Sequence, residues 1–474
     1  METKREGFGS NFGFIMAAVG SAVGLGNIWG FPYKMGRNGG FAFLLVYLCL
    51  ALFVGLAVMV GELAIGRKTG KSPIAAYRAM SKKFAWMGYI AVIVPFVVLC
   101  FYMVLGGMVM RYAIGYLLAM FGVNTWGADL SAFFGSFILN GGSMIIWTAI
   151  FVAINAVIVA GGIGGGIEKF CNIGMPCLFV ILVIVIIYVA CQPGSLDGYK
   201  FMFGWNIDPL KENFLDVLKT AAGQMFFSLS LGMGAMITYG SYLAKEEKLQ
   251  KNAVIIVVMD TLVAIMAGCI VLPGCAAFGV DYGAGPGLLF ASMQIVFERM
   301  GGFIGNLMGF LFYFLVFIAA ISSSMSLLEA ITSARVDSNV EKGKAPGRKK
   351  TALVFALIVL VFCIPTALDG LGSGTAGGAT LPIPAELFGV PVKGWSCDWL
   401  DFYDCISEGI LMPLGAMVMA FAIGWIWKMD FVVEEAEQCG AKFWGKTFFQ
   451  ICYKFITPIG MLFVLYGQIT GFFG

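Results

Sequence analysis

The chain has 474 residues, of which 60% are hydrophobic and only 12% are charged, and its formal net charge is +3. A soluble globular protein carries about 25% charged residues, so this composition excludes a soluble domain and predicts a protein embedded in lipid. The chain contains no histidine, which excludes imidazole bases, Ser-His triads and histidine-ligated metal sites.

Long apolar segments predict eleven membrane-spanning helices, because a spanning helix needs about 20 mostly apolar residues. The runs are long and unbroken, unlike the short alternating strands of a membrane β-barrel, so the predicted class is an all-α membrane protein. The predicted spans, numbered 1 to 11 in chain order, are residues 11–36, 41–66, 87–118, 143–162, 170–191, 214–243, 252–279, 303–334, 351–367, 405–427 and 448–471.

Lysine and arginine are concentrated near the N-terminus and in the alternate loops that share its side, such as 67–83 and 335–350. Basic loops stay on the cytoplasmic side of a membrane. The sequence therefore predicts a multi-pass protein of the inner (plasma) membrane with a cytoplasmic N-terminus. The Gly- and Pro-containing loop at 368–400 is expected outside, where Cys397 and Cys405 could form a disulfide.

Spans 1 and 6 each contain a glycine-rich segment in mid-membrane, GSAVGLGN at 20–27 and SLSLGMG at 228–234. Each glycine weakens a helix by about 1 kcal/mol, and unwound backbone in a bilayer needs partners that an ion or a solute can supply. Close packing of small residues is the alternative for either segment alone. The pair favours a transport site and two inverted repeats, 1–191 and 214–427, followed by an additional helix at 448–471.

Span 8 places Ala319, Ser322 and Ser323 on one helical face. Their hydroxyl and carbonyl oxygens are the ligands that a hard cation prefers. Serine in membrane helices also commonly bonds to its own backbone, so this pattern alone leaves a purely structural role open.

Glu62, Asp260 and Glu329 lie within predicted spans, where carboxylates are costly and usually functional. Asp260 has no lysine or arginine within one turn on its own span. Its partner is therefore expected to be Na⁺ or H⁺, or else a cation on another helix.

The segments GSAVGLGNIWGFPY at 20–33 and GQMFFSLSLGMGAMITYGSY at 223–242 closely resemble the broken helices of the neurotransmitter:sodium symporter family. GIEKF at 166–170 and the serines at 322–324 are also similar to that family. The resemblance covers nearly the whole chain, and eleven spans are typical of a bacterial member with the leucine-transporter fold. It implies a sodium-coupled importer of an amino acid or a related amine, working by alternating access.

The resemblance implies two sodium sites and one substrate site. The first sodium site would use Ala22, Asn27, Ser228, Asp260 and the substrate carboxylate. The second would use backbone oxygens of Gly20, Val23 and Ala319 with the hydroxyls of Ser322 and Ser323. The implied substrate-binding residues are Ala22, Leu25, Gly26, Val98, Tyr102, Phe227, Ser228, Ser230, Met233, Ser323 and Leu327.

This implied pocket is mostly apolar, so the expected substrate side chain is apolar or aromatic. Tyr47, Gln224 and Ser228 resemble part of the anion site of chloride-dependent relatives. The position of the carboxylate that replaces chloride in other relatives is Ala264, and Asp260 supplies a fixed charge one turn away. Transport is therefore expected to be chloride-independent.

The family pattern Trp-Arg-Phe-Pro reads WGFP at 29–32, so the arginine of the implied outer gate is absent. Its acidic partner corresponds to Asp404, and Lys34 could take over the pairing. Arg5 and Asp337 match the inner gate, and Phe227 the outer lid. Gly166 and Pro176 resemble a motif that lets span 5 unwind, although a proline kink explains them equally well.

The expected partners are an amino-acid substrate, Na⁺ and the lipid bilayer, with no nucleic acid and no organic cofactor. A proton-coupled transporter of the same fold is the alternative, with Asp260 or Glu62 as the proton site. A channel would need a continuous polar pore, and an enzyme would need a nucleophile beside clustered acids, so neither is expected. A receptor that binds the substrate without transporting it is a further alternative, and the sequence does not predict the oligomeric state.

Overall fold

The structure is a computed structural model of the chain, and it describes residues 7–127, 130–282, 287–372, 383, 386–387, 390–392 and 398–473. Within these ranges the helices are α1 Asn11–Ala22, α2 Gly26–Arg37, α3 Phe41–Thr69, α4 Pro73–Met80, α5 Lys82–Met120, α6 Leu130–Ile138, α7 Gly141–Ala160, α8 Ile163–Ala190, α9 Ser195–Phe203, α10 Asp208–Glu212, α11 Phe214–Ser228, α12 Ala235–Gly240, α13 Leu249–Phe278, α14 288–300, α15 Gly302–Glu341, α16 Arg348–Leu368, α17 Trp399–Ile426, α18 Asp430–Glu437 and α19 Lys446–Phe472. One antiparallel pair joins β1, Glu386–Leu387, to β2, Val390–Pro391.

The described helices confirm the all-α membrane class and the two broken spans. Nine of them are unbroken and are long and apolar enough to cross a membrane, and α1 with α2 forms a tenth span bent by 50°. Predicted span 6 is divided into α11, with 15 residues, and α12, with 6. Neither half reaches the length of a membrane helix, which is what a break in mid-span requires.

Several predicted spans were shorter than the helices in the structure. Helices α5 and α15 have 39 and 40 residues, so both continue beyond the bilayer thickness that guided the prediction. Helix α17 begins at Trp399 rather than residue 405, because the carboxylate of Asp398 accepts the N–H of Leu400 and caps the helix.

The prediction also missed the short helices α4, α6, α9, α10, α14 and α18, whose apolar stretches are too short to resemble spans. One of them is packed as tightly as the bundle itself. A Cβ on Gly198 of α9 would lie 2.4 Å from the Cα of Pro273 in α13. Small residues permit such close approach between membrane helices.

Helices α5 and α15 pack side by side along the centre of the bundle, and α1 contacts α8, α13 and α15. This packing brings the break in span 1 next to the break in span 6. We call the end of the bundle where α1 begins the near end, and the opposite end the far end. The division into two inverted repeats stays a prediction.

Candidate functional site

The break in span 1 lies between α1 and α2. Val23 is extended, with φ −69° and ψ 109°, so the helical hydrogen bonding is interrupted. The Leu25 N–H donates to the hydroxyl of Tyr102 at 2.9 Å, and the Gly24 N–H donates to Oδ1 of Asn27 at 2.9 Å. A Cβ on Gly24 would lie 2.5 Å from the Tyr102 hydroxyl, so only glycine fits here. Neutral side chains thus satisfy the amides of this break.

The break in span 6 is longer and contains three left-handed residues, Ser230 at φ 52°, Gly232 at 75° and Gly234 at 70°. The Gly232 N–H donates to Oε1 of Glu62 at 2.8 Å. The Ser230 hydroxyl donates to a backbone carbonyl of α1, that of Ser21, at 2.8 Å. A buried carboxylate therefore holds this break, and a hydroxyl ties it to span 1.

A buried polar cluster joins the two breaks. Nδ2 of Asn27 donates to Oγ of Ser228 at 2.9 Å and to Oδ1 of Asp260 at 2.7 Å. The Ser228 hydroxyl donates to Oδ2 of Asp260 at 2.8 Å, and the Tyr47 hydroxyl lies 3.3 Å from Ser228 Oγ. Each hydrogen-bond partner of the Asp260 carboxylate found among the described residues is uncharged, so the salt-bridge alternative is not what the structure has.

A second group of oxygens lies between α1 and α15. Oγ of Ser322 is 3.0 Å from the Ala319 carbonyl and 3.5 Å from the Val23 carbonyl. Gly20 packs against it, since a Cβ there would lie 3.0 Å from Cβ of Ser322. These donors fit a hard cation. The neighbouring Ser324 instead bonds to its own helix and to Asn155, which is the structural role.

Between the breaks lies a small cavity of about 10 Å³, room for a single water-sized sphere. Of the eleven predicted substrate residues, all except Leu25 and Ser228 line it, and Gly24 is added. The lining residues are Ala22, Gly24, Gly26, Val98, Tyr102, Phe227, Ser230, Met233, Ser323 and Leu327. Side chains have to move before an amino acid can enter.

Phe227 separates this cavity from a second one of about 130 Å³ on the far side, since its ring lines both. The ring of Phe101 stacks on it at 6.4 Å between centroids, and a Cβ on Gly26 would lie 2.6 Å from its edge. Phe227 thus has the position of a lid.

The far cavity contains an ion pair that the sequence did not predict. Lys34 pairs with Glu408, and Glu408 is hydrogen-bonded to Asp404 one turn earlier. Lys34 was expected to pair with Asp404, and the structure instead pairs it with Glu408. Gln224 fills the space beside Gly30, where a Cβ would lie 2.8 Å from Oε1 of Gln224. The sequence did contain a signal for this pair, because Glu408 lies four residues after Asp404 and therefore on the same helical face.

At the near end, Oδ2 of Asp337 accepts the N–H of Ser72 at 2.7 Å. Its expected partner Arg5 lies outside the described residues, as does Cys397, so neither pairing is tested. The Gly9 N–H donates to Oε2 of Glu168 at 2.8 Å, which fixes the start of the α1 segment to α8.

The expected span 5 motif lies in this same region of α8. Its helix starts with a wider π-helical turn over Ile163–Glu168. Gly166 lies so close to α7 that a Cβ would be 2.0 Å from the Ile158 carbonyl, and Pro176 stays inside the helix.

The two remaining intramembrane carboxylates have defined partners. Glu62 supports the span 6 break, as described. Glu329 accepts the hydroxyl of Tyr242 at 2.8 Å and pairs with Arg348 at 2.5 Å. The sequence singled out both acids but could not assign these partners, because each partner lies on another segment of the chain.

Three comparisons with known proteins agree with this geometry. The sequence profile of the Sodium:neurotransmitter symporter family matches residues 5–133 and 134–473. The sodium-dependent transporter YhdH of Bacillus subtilis (strain 168) is 32% identical over 480 aligned positions, covering 99% of this chain and 98% of YhdH. A sodium-dependent transporter of Haemophilus influenzae is 31% identical over 481 positions, covering 98% of both chains. The crystal structure of MhsT in complex with L-phenylalanine matches with a TM-score of 0.85 and 34% identity, covering 98% of this chain and 100% of MhsT.

Proposed function

The chain belongs to the sodium:neurotransmitter symporter family of secondary transporters, which are not enzymes, and on that premise we propose that it imports an amino acid with an apolar or aromatic side chain together with Na⁺. The observation that carries the proposal is the small cavity between two helix breaks. Apart from Tyr102, Ser230 and Ser323, its side chains are apolar. Both breaks present backbone groups that a charged amino-acid backbone and a cation can use.

The substrate carboxylate is proposed to bind at the span 1 break. There the Leu25 N–H and the Tyr102 hydroxyl lie 2.9 Å apart, and the start of α2 favours an anion. Val98, Met233 and Leu327 would surround the side chain. Met233 adapts to bulky shapes because its side chain is unbranched. MhsT, which was crystallised with L-phenylalanine, supports a substrate of this class.

Two Na⁺ ions are proposed to accompany the substrate. The first would bind to Asn27, Ser228 and Asp260, close to the carboxylate of the amino acid, with the Ala22 carbonyl. The second would bind between α1 and α15, to the carbonyls of Gly20, Val23 and Ala319 and the hydroxyls of Ser322 and Ser323. Because the first ion and the substrate share a site, the binding of each favours the other.

Transport is proposed to be independent of chloride. In the polar cluster, Tyr47 and Ser228 contact the carboxylate of Asp260 rather than leaving a neutral site for an anion. Ala264, one turn away, is apolar and buried. Asp260 therefore supplies the fixed negative charge beside the first ion, and it is also the group that would carry a proton if transport were proton-coupled.

Access is proposed to alternate between the two ends of the bundle. The near end would be cytoplasmic and the far end extracellular, in the inner (plasma) membrane, as the basic loops indicate. Phe227 and the group formed by Lys34, Asp404 and Glu408 would close the far side. Separation of Arg5 from Asp337, with movement of α1, would open the near side.

The test is uptake of a panel of amino acids into vesicles that contain the purified protein, with and without a Na⁺ gradient. We expect uptake of apolar or aromatic amino acids that requires Na⁺ and persists when gluconate replaces chloride. Na⁺-independent uptake driven by a pH gradient would instead support the proton-coupled alternative. Binding of substrate without flux would identify a receptor.

Asp260→Ala tests the first sodium site. Removal of a charged ligand costs about 2–3 kcal/mol, so we expect apparent affinities for both Na⁺ and substrate to fall about 30- to 150-fold. Asp216→Ala is the matched control, because Asp216 is 58% exposed and pairs only with the neighbouring Lys219 among the described residues. Unchanged affinities in Asp260→Ala would show that the first site is elsewhere.

A further inference from the structure

A groove of about 440 Å³ lies at the near end of the bundle, between α4, α5, α15 and α16. It is separate from the two cavities of the proposed transport pathway and shares no lining residue with them. Its two halves differ in character, since one is apolar and the other is basic.

The apolar half is built on one face of α5. Tyr89, Ile93 and Phe96 follow each other at helical spacing, and Phe355 of α16 lies opposite. Tyr89 is 52% exposed and Ile93 is 49% exposed, although α5 is among the most buried of the spanning helices. An exposed apolar face on a membrane helix is covered by lipid chains.

The basic half lies where these helices leave the membrane. Arg78 of α4, Arg335 of α15 and Lys342, the residue after α15, line it together with one carboxylate, Glu341. Oε2 of Glu341 lies 3.4 Å from Nη1 of Arg78, and its Oε1 lies 3.2 Å from Nζ of Lys71. Glu341 is thus shared between two cations, and the groove keeps an excess of positive charge.

We propose that this groove binds one anionic phospholipid of the near-end leaflet. The phosphate headgroup lies against Arg335 and Lys342, and an acyl chain follows the face of Tyr89, Ile93 and Phe96. Basic pockets between membrane helices bind acidic headgroups, each basic side chain adding about 1 kcal/mol. A zwitterionic headgroup brings its own cation next to these basic residues and binds less well. The bound lipid joins the four helices α4, α5, α15 and α16, so it raises thermal stability.

The experiment titrates phosphatidylglycerol and phosphatidylcholine onto the purified full-length protein and counts bound lipids by native mass spectrometry. The wild type is expected to bind one phosphatidylglycerol at least tenfold more tightly than phosphatidylcholine. Arg335→Gln with Lys342→Gln is expected to weaken phosphatidylglycerol binding about 25-fold, since each basic residue accounts for a factor of about five. Phosphatidylcholine binding is expected to stay unchanged in this variant.

The matched control is Lys248→Gln with Lys251→Gln, which removes two exposed cations from the same end but outside the groove. It is expected to bind phosphatidylglycerol like the wild type. A second variant, Ser338→Trp, fills the groove without a change of charge and is expected to lose the bound lipid. It keeps the proposal testable if the charge variant does not fold.

Three results would overturn the proposal. The first is equal affinity of the wild type for the two lipids. The second is an equal loss of phosphatidylglycerol in the Lys248/Lys251 control, which would indicate general surface charge. The third is displacement of the lipid by soluble glycerol phosphate at similar concentration, which would indicate a site for free anions.

Discussion

The two helix breaks differ in which residues satisfy their free backbone groups. In span 1, neutral groups, the Tyr102 hydroxyl and the Asn27 amide, accept the free amide protons. In span 6, both contacts reach other helices: the Glu62 carboxyl group of α3 accepts the Gly232 N–H, and the Ser230 hydroxyl donates to the Ser21 carbonyl of α1. Span 6 is therefore held in its unwound form by two neighbouring helices. Span 1 has one contact to another helix and one to its own residue Asn27, so it is held more weakly, and its Val23 carbonyl faces Ser322 of α15.

This difference assigns separate tasks to the two breaks. A strongly held break keeps Phe227, Ser230 and Met233 in fixed positions around the cavity. A weakly held break can respond to an ion or a substrate, because the binding energy needed to reorganise it is smaller. Span 1 is therefore expected to respond to ligands, whereas span 6 is expected to limit stability.

Glu62→Ala is expected to have the largest effect. It leaves the buried Gly232 N–H without an acceptor and opens a cavity in place of the side chain, which together cost about 3 kcal/mol. The midpoint of thermal unfolding in detergent should fall well below that of the wild type. Glu62→Gln keeps an acceptor oxygen and should lose about half as much. If Glu62→Ala unfolds at the wild-type temperature, the carboxylate does not hold the span 6 break.

Gly24→Ala addresses the span 1 break. The added methyl group would overlap the Tyr102 hydroxyl, and such overpacking costs about 2 kcal/mol. Because the clash lies beside the cavity, substrate affinity should fall about 30-fold, with a smaller change in unfolding temperature than for Glu62→Ala. Gly460→Ala in α19 is the control, since a Cβ there meets nothing within 4 Å. Equal loss of affinity in both variants would contradict the assignment.

Tyr102→Phe removes a single hydroxyl from the span 1 break. The Leu25 N–H loses its acceptor, which costs about 1 kcal/mol for a neutral hydrogen bond. Apparent substrate affinity, measured by equilibrium binding, should fall about fivefold to tenfold while the protein stays folded. A variant that binds substrate like the wild type would remove Tyr102 from the proposed carboxylate site.

Much of the fold followed from the sequence because lipid leaves few choices. Apolar runs long enough to span the bilayer predicted the helices, and paired glycine segments predicted both breaks, at Val23–Leu25 and Leu229–Gly234. Helix ends were predicted less well. The start of α17 depends on the cap formed by Asp398, and the extent of α5 and α15 depends on contacts beyond the bilayer.

The partners of the polar groups were harder to predict than the groups themselves. Asp260 and Glu62 were identified from their cost in a membrane, but their hydrogen-bond partners come from other spans. The ion pair of Lys34 with Glu408 was missed because the family pattern directed attention to Asp404. A pattern along one helix cannot fix which acid of another helix faces a given cation.

The far-end loop offers the smallest predicted effect, and it lies outside both breaks. Oδ1 of Asp369 accepts the N–H of Leu371 at 3.0 Å, and Oδ2 accepts that of Trp399 at 2.7 Å, which links the end of α16 to the start of α17. Burial, with a smaller contribution from the neighbouring Asp398, raises the pKa of Asp369 to about 7. An unfolded aspartate has a pKa of about 3.9.

Between about pH 4 and pH 7 the folded chain therefore binds a proton at Asp369 that the unfolded chain does not hold. The contribution of this group to stability must rise as the pH falls from 8 to 5. We expect about 1 kcal/mol after allowance for partial hydration, seen as a higher unfolding temperature of the wild type at pH 5 than at pH 8. In Asp369→Asn the slope over this window should flatten, and Na⁺ affinity should not change, because neither break is touched. A slope identical in the two proteins would assign the pH dependence to other acids.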